Sequence, residues 1–313
     1  MDVLHGLPGS PPAESGAAVT IGFFDGVHLG HRQVLERTVE RARERSLRSV
    51  AVTFDRHPRE ILTPDRVPRL LTTLERKISL IGQTGLEELV VLPFTRELSE
   101  RSAEWFVQDV LVGGLGTRHA VVGPNFTFGH KALGTVEVLR ERGSVEGFTV
   151  EVPGLLELDG RPVSSSSIRA AIAEGDLAWP RRALGRRYAV EGRVGRGAGR
   201  GAELGYPTAN LETEPRLLLP RQGVYAGVAS DDADRHVAAI DVGTNPQFGV
   251  EPLHVEAFLL DFDGDLRGHQ LVVEFWERLR DETTFGSVEE LKAAIGDDVE
   301  RTRSIVRPAE RTV

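Results

Sequence analysis

The chain has 313 residues, 40% of them hydrophobic and 27% charged, so two globular domains are expected and a disordered chain is excluded. The absence of cysteine excludes disulfides, zinc–thiolate sites and thiol nucleophiles, and a net charge of −9 argues against a nucleic-acid partner. No apolar run approaches the roughly 20 residues that cross a bilayer. The opening MDVLHGLPGSPPAESG has neither the basic flank nor the apolar stretch of a signal peptide, so a cytoplasmic setting without membrane contact is expected.

In chain order, the first part alternates strand and helix. Residues 17–23 read as a buried strand. Residues 31–46 read as an amphipathic helix with Val34, Leu35, Val39 and Ala42 on one side. Strands follow at 49–54, 86–94, 119–123 and 148–153, separated by helices at 73–82, 102–115 and 135–143. Such alternation implies a parallel sheet with right-handed crossovers and ligands beyond the strand carboxyl ends, at the loops after residues 23, 54 and 123. A short helix is expected from Ser167, and a domain boundary near 182–187. Beyond it, residues 188–194, 223–230, 236–243, 254–262 and 270–279 are strand-like with glycine-rich turns, the mark of an antiparallel barrel or sandwich. A closing helix opens on the capping pair Ser287 and Glu290 and carries the apolar stripe Val288, Leu291, Ile295 and Val299. Two arginine-rich stretches, 41–48 and 181–187, offer local positive charge; the first reads best as a solvated helix face.

Two segments carry chemistry. The loop after the first strand is Gly22-Phe23-Phe24-Asp25-Gly26-Val27-His28-Leu29-Gly30-His31. His28 and His31, three apart at a helix start, share a face where free backbone N–H groups and the helix dipole favour a phosphate. Gly30 lacks a Cβ where a flat base could lie against the backbone. A pair of histidines that merely caps the helix is the plain alternative, and a histidine zinc site lacks an evident third ligand. The second segment is VGRGAGRGAELGYPTANLE (194–212). Its glycines, Gly199, Gly201 and Gly205 among them, suit a loop that approaches phosphate closely or simply a flexible hairpin. It is neither a P-loop nor a dinucleotide fingerprint. Thr208 and Asn210, two apart on a strand, face one way and offer oxygen ligands to a hard cation such as Mg²⁺.

Taken with their neighbours, these motifs resemble a known family. GFFDGVHLGH resembles the signature of the HxGH nucleotidyltransferases, in the form found in bacterial FAD synthetases. TFDRHP (53–58), GPNFTFGHKALG (123–134) and PVSSSSIRAAIAEGDL (162–177) are similar to that family's later segments, in order. GYPTANLE and the segments at 184–194, 223–228, 242–249, 255–268 and 279–291 resemble riboflavin kinases. The resemblance implies an α/β nucleotidyltransferase (Rossmann-like) domain at 1–184 and a β-barrel riboflavin kinase domain with a C-terminal helix at 185–313. It implies phosphorylation of riboflavin to FMN, and adenylylation of FMN to FAD with release of pyrophosphate.

The same resemblance assigns roles. His28, His31 and Arg169 stabilise charge during adenylyl transfer, Arg169 holding phosphates opposite the histidines. Glu256 acts as base for the ribityl 5′-hydroxyl. Gly22, Phe24, Asp25, Asn125, Phe126, Phe128, Ser164 and Ser165 join the first nucleotide and flavin site. Arg280 is carried over as a flavin- or nucleotide-contacting residue, and Thr208 and Asn210 as ligands of Mg²⁺ accompanying ATP. Arg56, Arg187 and Arg267 depart from the family pattern, standing where proline, proline and tyrosine are usual, and Asn125 stands where the family often has an acidic residue. A kinase with an inactive first domain, and a non-catalytic flavin or nucleotide sensor, remain the alternatives. Oligomeric state is not read from the sequence.

Overall fold

The computed structural model describes residues 1–8, 15–197, 200–231, 234–244 and 253–307. Contacts divide the chain into two compact units: Met1–Pro68 with Leu74–Ser164, and Arg69–Thr73 with Ser165–Val313.

The first unit is a six-stranded parallel sheet. In chain order its elements are β1 (Asp2–His5), β2 (Ala17–Ile21), α1 (Leu29–Arg45), β3 (Arg48–Phe54), α2 (Arg59–Leu62), α3 (Leu74–Gly82), β4 (Glu88–Leu92), α4 (Arg96–Ser99), α5 (Ala103–Trp105), β5 (Thr117–Val121), α6 (Val136–Glu146) and β6 (Thr149–Glu151). The short hairpin β7 (Glu157–Leu158) and β8 (Arg161–Pro162) completes the unit. The spatial order is β1-β4-β3-β2-β5-β6, every pair parallel. The expected strands are found, and β1 is added from an N-terminal stretch too short and polar to signal a strand by itself.

Both faces of the sheet are covered, as a parallel sheet requires. Leu35 and Val39 of α1 and Leu80 and Ile81 of α3 pack with Ala51, Leu89 and Val91 on one face. Val107, Val110 and Leu111 pack with Leu139 of α6, Val19, Val50 and Val52 on the other. The helix expected over 102–115 is α-helical only through Trp105 and continues as a π-helix, Phe106–Gly114. Phe106, Val107, Val110 and Leu111 along it are buried in the core.

The second unit holds α7 (Ser165–Glu174), α8 (Ala178–Leu184), β9 (Ala189–Gly195), α9 (Arg200–Leu204), β10 (Thr208–Thr213), β11 (Gly223–Ser230), β12 (Arg235–Gly243), β13 (His254–Leu259), β14 (Gln270–Arg280) and α10 (Val288–Ile305). The strands close into an antiparallel barrel, β10-β13-β12-β11-β14-β9. A barrel rather than a sandwich therefore resolves the expectation, and closure leaves no open sheet edge. Segment 69–73 joins this unit through the Leu70–Leu217 bridge and the Thr73–Glu191 hydrogen bond.

Helix α10 starts as expected: Ser287 caps it by accepting from the Glu290 N–H at 3.1 Å, and Glu290 accepts from the Gly286 N–H at 2.9 Å. Its buried stripe differs. Asp298, Val299 and Thr302 are buried, followed by Val306 just beyond the helix, while Val288 is 54% exposed. Only the C-terminal half of the helix lies on the barrel's outer wall, against Val224, Ala226, Val228, Trp276 and Leu279.

Candidate active sites

The first site lies at the carboxyl ends of the central strands. The chain leaves β2 through Gly22–Val27, a loop bent by the left-handed residues Phe24 (φ 54), Gly26 (φ 80) and Val27 (φ 39). A β-branched residue in that region is strained, and such strain persists only where neighbours over-determine it. Here Phe24 and Val27 are buried beneath α1 and α3.

His28 follows as the N-cap of α1. Its Nδ1 accepts from the His31 N–H at 3.2 Å, which places the proton of the neutral ring on Nε2. The two rings stack, with centroids 3.5 Å apart and an interplanar angle of 18°. A Cβ on Gly30 would sit 3.3 Å from the His28 ring, so this glycine makes room for the histidine stack. On Gly22, a Cβ would strike the Phe24 ring at 2.8 Å.

A cavity of about 260 Å³ opens beside these rings. Gly22, Phe24, His28, Gly30, His31, Asn125, Phe126 and Ser164 all line it, together with Pro153–Leu156 from the β6–β7 connection, which the sequence did not mark. Asp25 is buried outside this lining. Phe128 is 8% exposed and belongs to the core, stacked on Phe126 with centroids 5.4 Å apart. The loop carrying both is closed by paired backbone hydrogen bonds between Phe128 and Gly134. Ser165 opens α7 in the second unit, two residues before the expected start. Arg169 is on the same helix, and its Nε donates to the Arg69 carbonyl at 2.7 Å.

Beneath the histidine loop sits a residue the sequence did not single out. Lys77 of α3 is 3% exposed, and burial lowers its ammonium to about 8, against the pull of Asp25 and Asp55. Its Nζ donates to the Phe23 carbonyl at 3.1 Å and the Phe54 carbonyl at 3.0 Å, and lies 4.1 Å from the Phe23 ring centre.

The second site is on three neighbouring barrel strands. Asn210, Glu256 and Asp241 occupy matched register positions on β10, β13 and β12, so their side chains leave the same face of the wall. Thr208 Oγ1 donates to Glu256 Oε2 at 2.7 Å, and Asn210 Nδ2 lies 3.4 Å from the Thr208 carbonyl. His254 Nε2 is 3.4 Å from Glu256 Oε1, and that hydrogen bond, more than the nearby charge, raises the imidazole's pKa. Burial pushes the Asp241 carboxyl up to about 7, helped by the neighbouring Glu282 and Glu256. Asp241 and Glu282 were missed in the sequence because only the fold brings a carboxylate of β12 beside one in the segment after β14.

The glycine loop meets this face. A Cβ on Gly197 would fall 2.5 Å from Asn210 Cγ, so only glycine lets the loop backbone lie on that amide. Gly201 belongs to the short helix α9 and approaches Thr208, Gly205 takes φ +90, and Gly199 lies outside the described residues. Arg280 is held by Asp298 of α10, Nε to Oδ2 at 2.9 Å, so its guanidinium joins barrel and helix. The departures from the family pattern find local partners: Arg56 pairs with Asp55, Arg187 lies 3.4 Å over the Trp276 ring, and Arg267 forks onto Asp265.

Comparison with known proteins follows the same division. A family model described as FAD synthetase matches residues 10–167, and one described as riboflavin kinase matches residues 184–306. A bifunctional riboflavin kinase/FMN adenylyltransferase of Pseudomonas fluorescens is 39% identical over 310 residues, 99% of each chain. The Escherichia coli K12 protein of the same description is 32% identical over 296 residues, 94% of each chain. A Streptococcus pneumoniae crystal structure described as a macrolide-efflux protein is 28% identical, covers 97% of this chain and 99% of its own, and superposes with a TM-score of 0.86. Among the described residues, no helix is long and apolar enough to cross a membrane.

Proposed function

The chain belongs to the family of bifunctional riboflavin kinase/FMN adenylyltransferases, and from that premise we propose how its residues divide the work. The enzyme phosphorylates riboflavin to FMN with one ATP and adenylylates FMN to FAD with a second. The functional division falls at 184/185, with adenylyl transfer assigned to 1–184 and the kinase to 185–313.

In the kinase, Glu256 accepts the proton of the ribityl 5′-hydroxyl as that oxygen attacks the γ-phosphorus. The Thr208 hydroxyl donates to one carboxylate oxygen and His254 stands by the other, so the base is oriented from both sides. Thr208 and Asn210 present oxygens beside a carboxylate, a donor set that fits Mg²⁺ arriving with nucleotide phosphates. The cation would neutralise phosphate charge; the glycine loop, lying on Asn210, would close over the same phosphates.

In the adenylyltransferase, the FMN phosphate displaces pyrophosphate from the α-phosphorus of ATP. His28, its Nδ1 occupied by the His31 backbone, directs an Nε2–H donor toward the charge that grows on the phosphoryl oxygens. His31 lines the same cavity, and Asn125, Phe126 and Ser164 bound the space for base and flavin. Neither transfer passes through a covalent enzyme intermediate. A cytoplasmic setting, with riboflavin, FMN and ATP as the partners, belongs to the same reading.

The observation that carries this reading is the Thr208–Glu256–Asn210 arrangement on one barrel face, separate from the His28–His31 stack. Its test is separation of function. His28→Ala is expected to lower FAD formation by ~10²–10³ and leave FMN formation intact. Glu256→Gln is expected to lower FMN formation by ~10²–10⁴ and leave adenylylation of supplied FMN intact. Chromatography of flavins from ATP, Mg²⁺ and riboflavin or FMN reads both. Parallel loss of both activities in either variant contradicts two independent sites.

A further inference from the structure

We propose that Lys77 is a positioning residue of the adenylyltransferase, clamping the strained histidine loop to the end of the neighbouring strand so that His28 points at the reacting phosphate. The proposal rests on the reading of His28 given above and deepens it.

The clamp joins two segments that both end at the site. Phe23 precedes the left-handed Phe24, and Phe54 is the last residue of β3. One ammonium donates to the carbonyls of both, while Thr53 Oγ1 adds a second donor to Phe23 at 3.1 Å. The Phe23 ring is gripped as well, by Lys77 on its face and by His57 at 4.7 Å in an edge contact. A buried cation is costly to keep. An apolar side chain of similar length would pack in this place with less desolvation, so packing alone gives no reason for a lysine. Holding two carbonyls in register does.

The charged groups facing Lys77 are Asp25 from the histidine loop and Asp55 beyond β3, the latter paired with Arg56 at 3.3 Å. Glu75 and Arg76 flank it on its own helix. Because burial already lowers the ammonium to about 8, the grip is charged at neutral pH and weakens as pH rises through that value. The neutral amine keeps donors but loses its attraction for Asp25, Asp55 and the ring.

The experiment uses the full chain, whose kinase activity is the internal control for folding. Lys77→Met is expected to lower FAD-forming kcat at pH 7 at least tenfold, with the KM for ATP within threefold and FMN formation within twofold of wild type. The wild-type FAD-forming kcat is expected to fall as pH rises from 7 to 9.5, and Lys77→Arg, which cannot titrate there, is expected to remove that fall. A wild-type kcat in folded Lys77→Met overturns the proposal. Should Lys77→Met unfold, a flat wild-type profile from pH 7 to 9.5 overturns it equally. His28→Ala run alongside separates the two ideas: retained FAD formation there sinks the histidine reading itself, whereas its loss with an unaffected Lys77→Met sinks only the clamp.

Discussion

Asp241→Asn should stabilise the barrel unit at neutral and alkaline pH. In the folded chain the Asp241 carboxyl is raised from 3.8 to about 7, chiefly by burial and then by Glu282 and Glu256. The unfolded chain therefore gives up this proton at lower pH than the folded one, and stability from this group falls as pH rises from about 4 to about 7. A shift of about three pKa units at ~1.4 kcal/mol each gives a ceiling of ~4 kcal/mol. Solvent at the strand face screens part of it, leaving ~2 kcal/mol as the working expectation. Asparagine matches the protonated acid in shape and never ionises. The substitution should thus be nearly neutral at pH 4 and stabilising by ~2 kcal/mol at pH 8. Urea unfolding read by the fluorescence of Trp179 and Trp276, both in the second unit, in a Trp105→Phe background isolates the barrel transition. A variant-minus-wild-type difference that is the same at pH 4 and pH 8 refutes the reasoning, because it means the carboxyl titrates alike in both states.

Two other perturbations follow from local geometry. Gly197→Ala drives a methyl against the Asn210 amide, and overpacking of ~1–3 kcal/mol should appear as a roughly tenfold or greater loss in kinase kcat/KM for ATP, with adenylylation of FMN unchanged. In the first unit, hydrogen bonds from Arg41 and then Arg37 hold the Glu151 carboxyl at about 2, against the cost of its partial burial. A depressed acid stabilises above its unfolded value and loses that contribution as pH falls from about 4.5 toward 2. Glu151→Gln should therefore cost ~1–2 kcal/mol at pH 7 and only about a quarter of that at pH 2.5, measured by acid and urea titration of Trp105 fluorescence.

The architecture was legible because it is written in periodicity. Alternating strands and helices through residue 153 demand a parallel sheet, and the loop with His28 and His31 falls at its first crossover, at the carboxyl end of β2. That Thr208 and Asn210 share a face was legible from strand alternation, whereas Glu256 was singled out through the family resemblance. What the sequence conceals is pairing across the chain. Lys77 looks like an ordinary polar position of an amphipathic helix; only the convergence of the β2 and β3 ends makes it a buried clamp. Asp241 becomes unusual only once β12 is laid beside β13. Arg280, carried over as a ligand contact, is also paired with Asp298 of α10, a partner the sequence does not reveal. The exposure of Val288 has the same origin: an apolar stripe tells which side of a helix can be buried, not how far along its length a neighbour extends.

The small excursion of residues 69–73 into the second unit has a practical consequence. A gene cut at codon 184 yields two fragments, and the downstream one lacks the short strap that bridges Leu217 and bonds Glu191. Expressed alone, that fragment keeps the barrel strands but lacks the strap and helices α7 and α8 of its own unit, so its stability measures the truncation as much as the domain. Mixing it with a synthetic pentapeptide copy of the strap would not restore the tether, because intramolecular attachment supplies the strap at an effective concentration no free peptide matches. Engineers dissecting the two activities are better served by single substitutions in the intact polypeptide than by scissors.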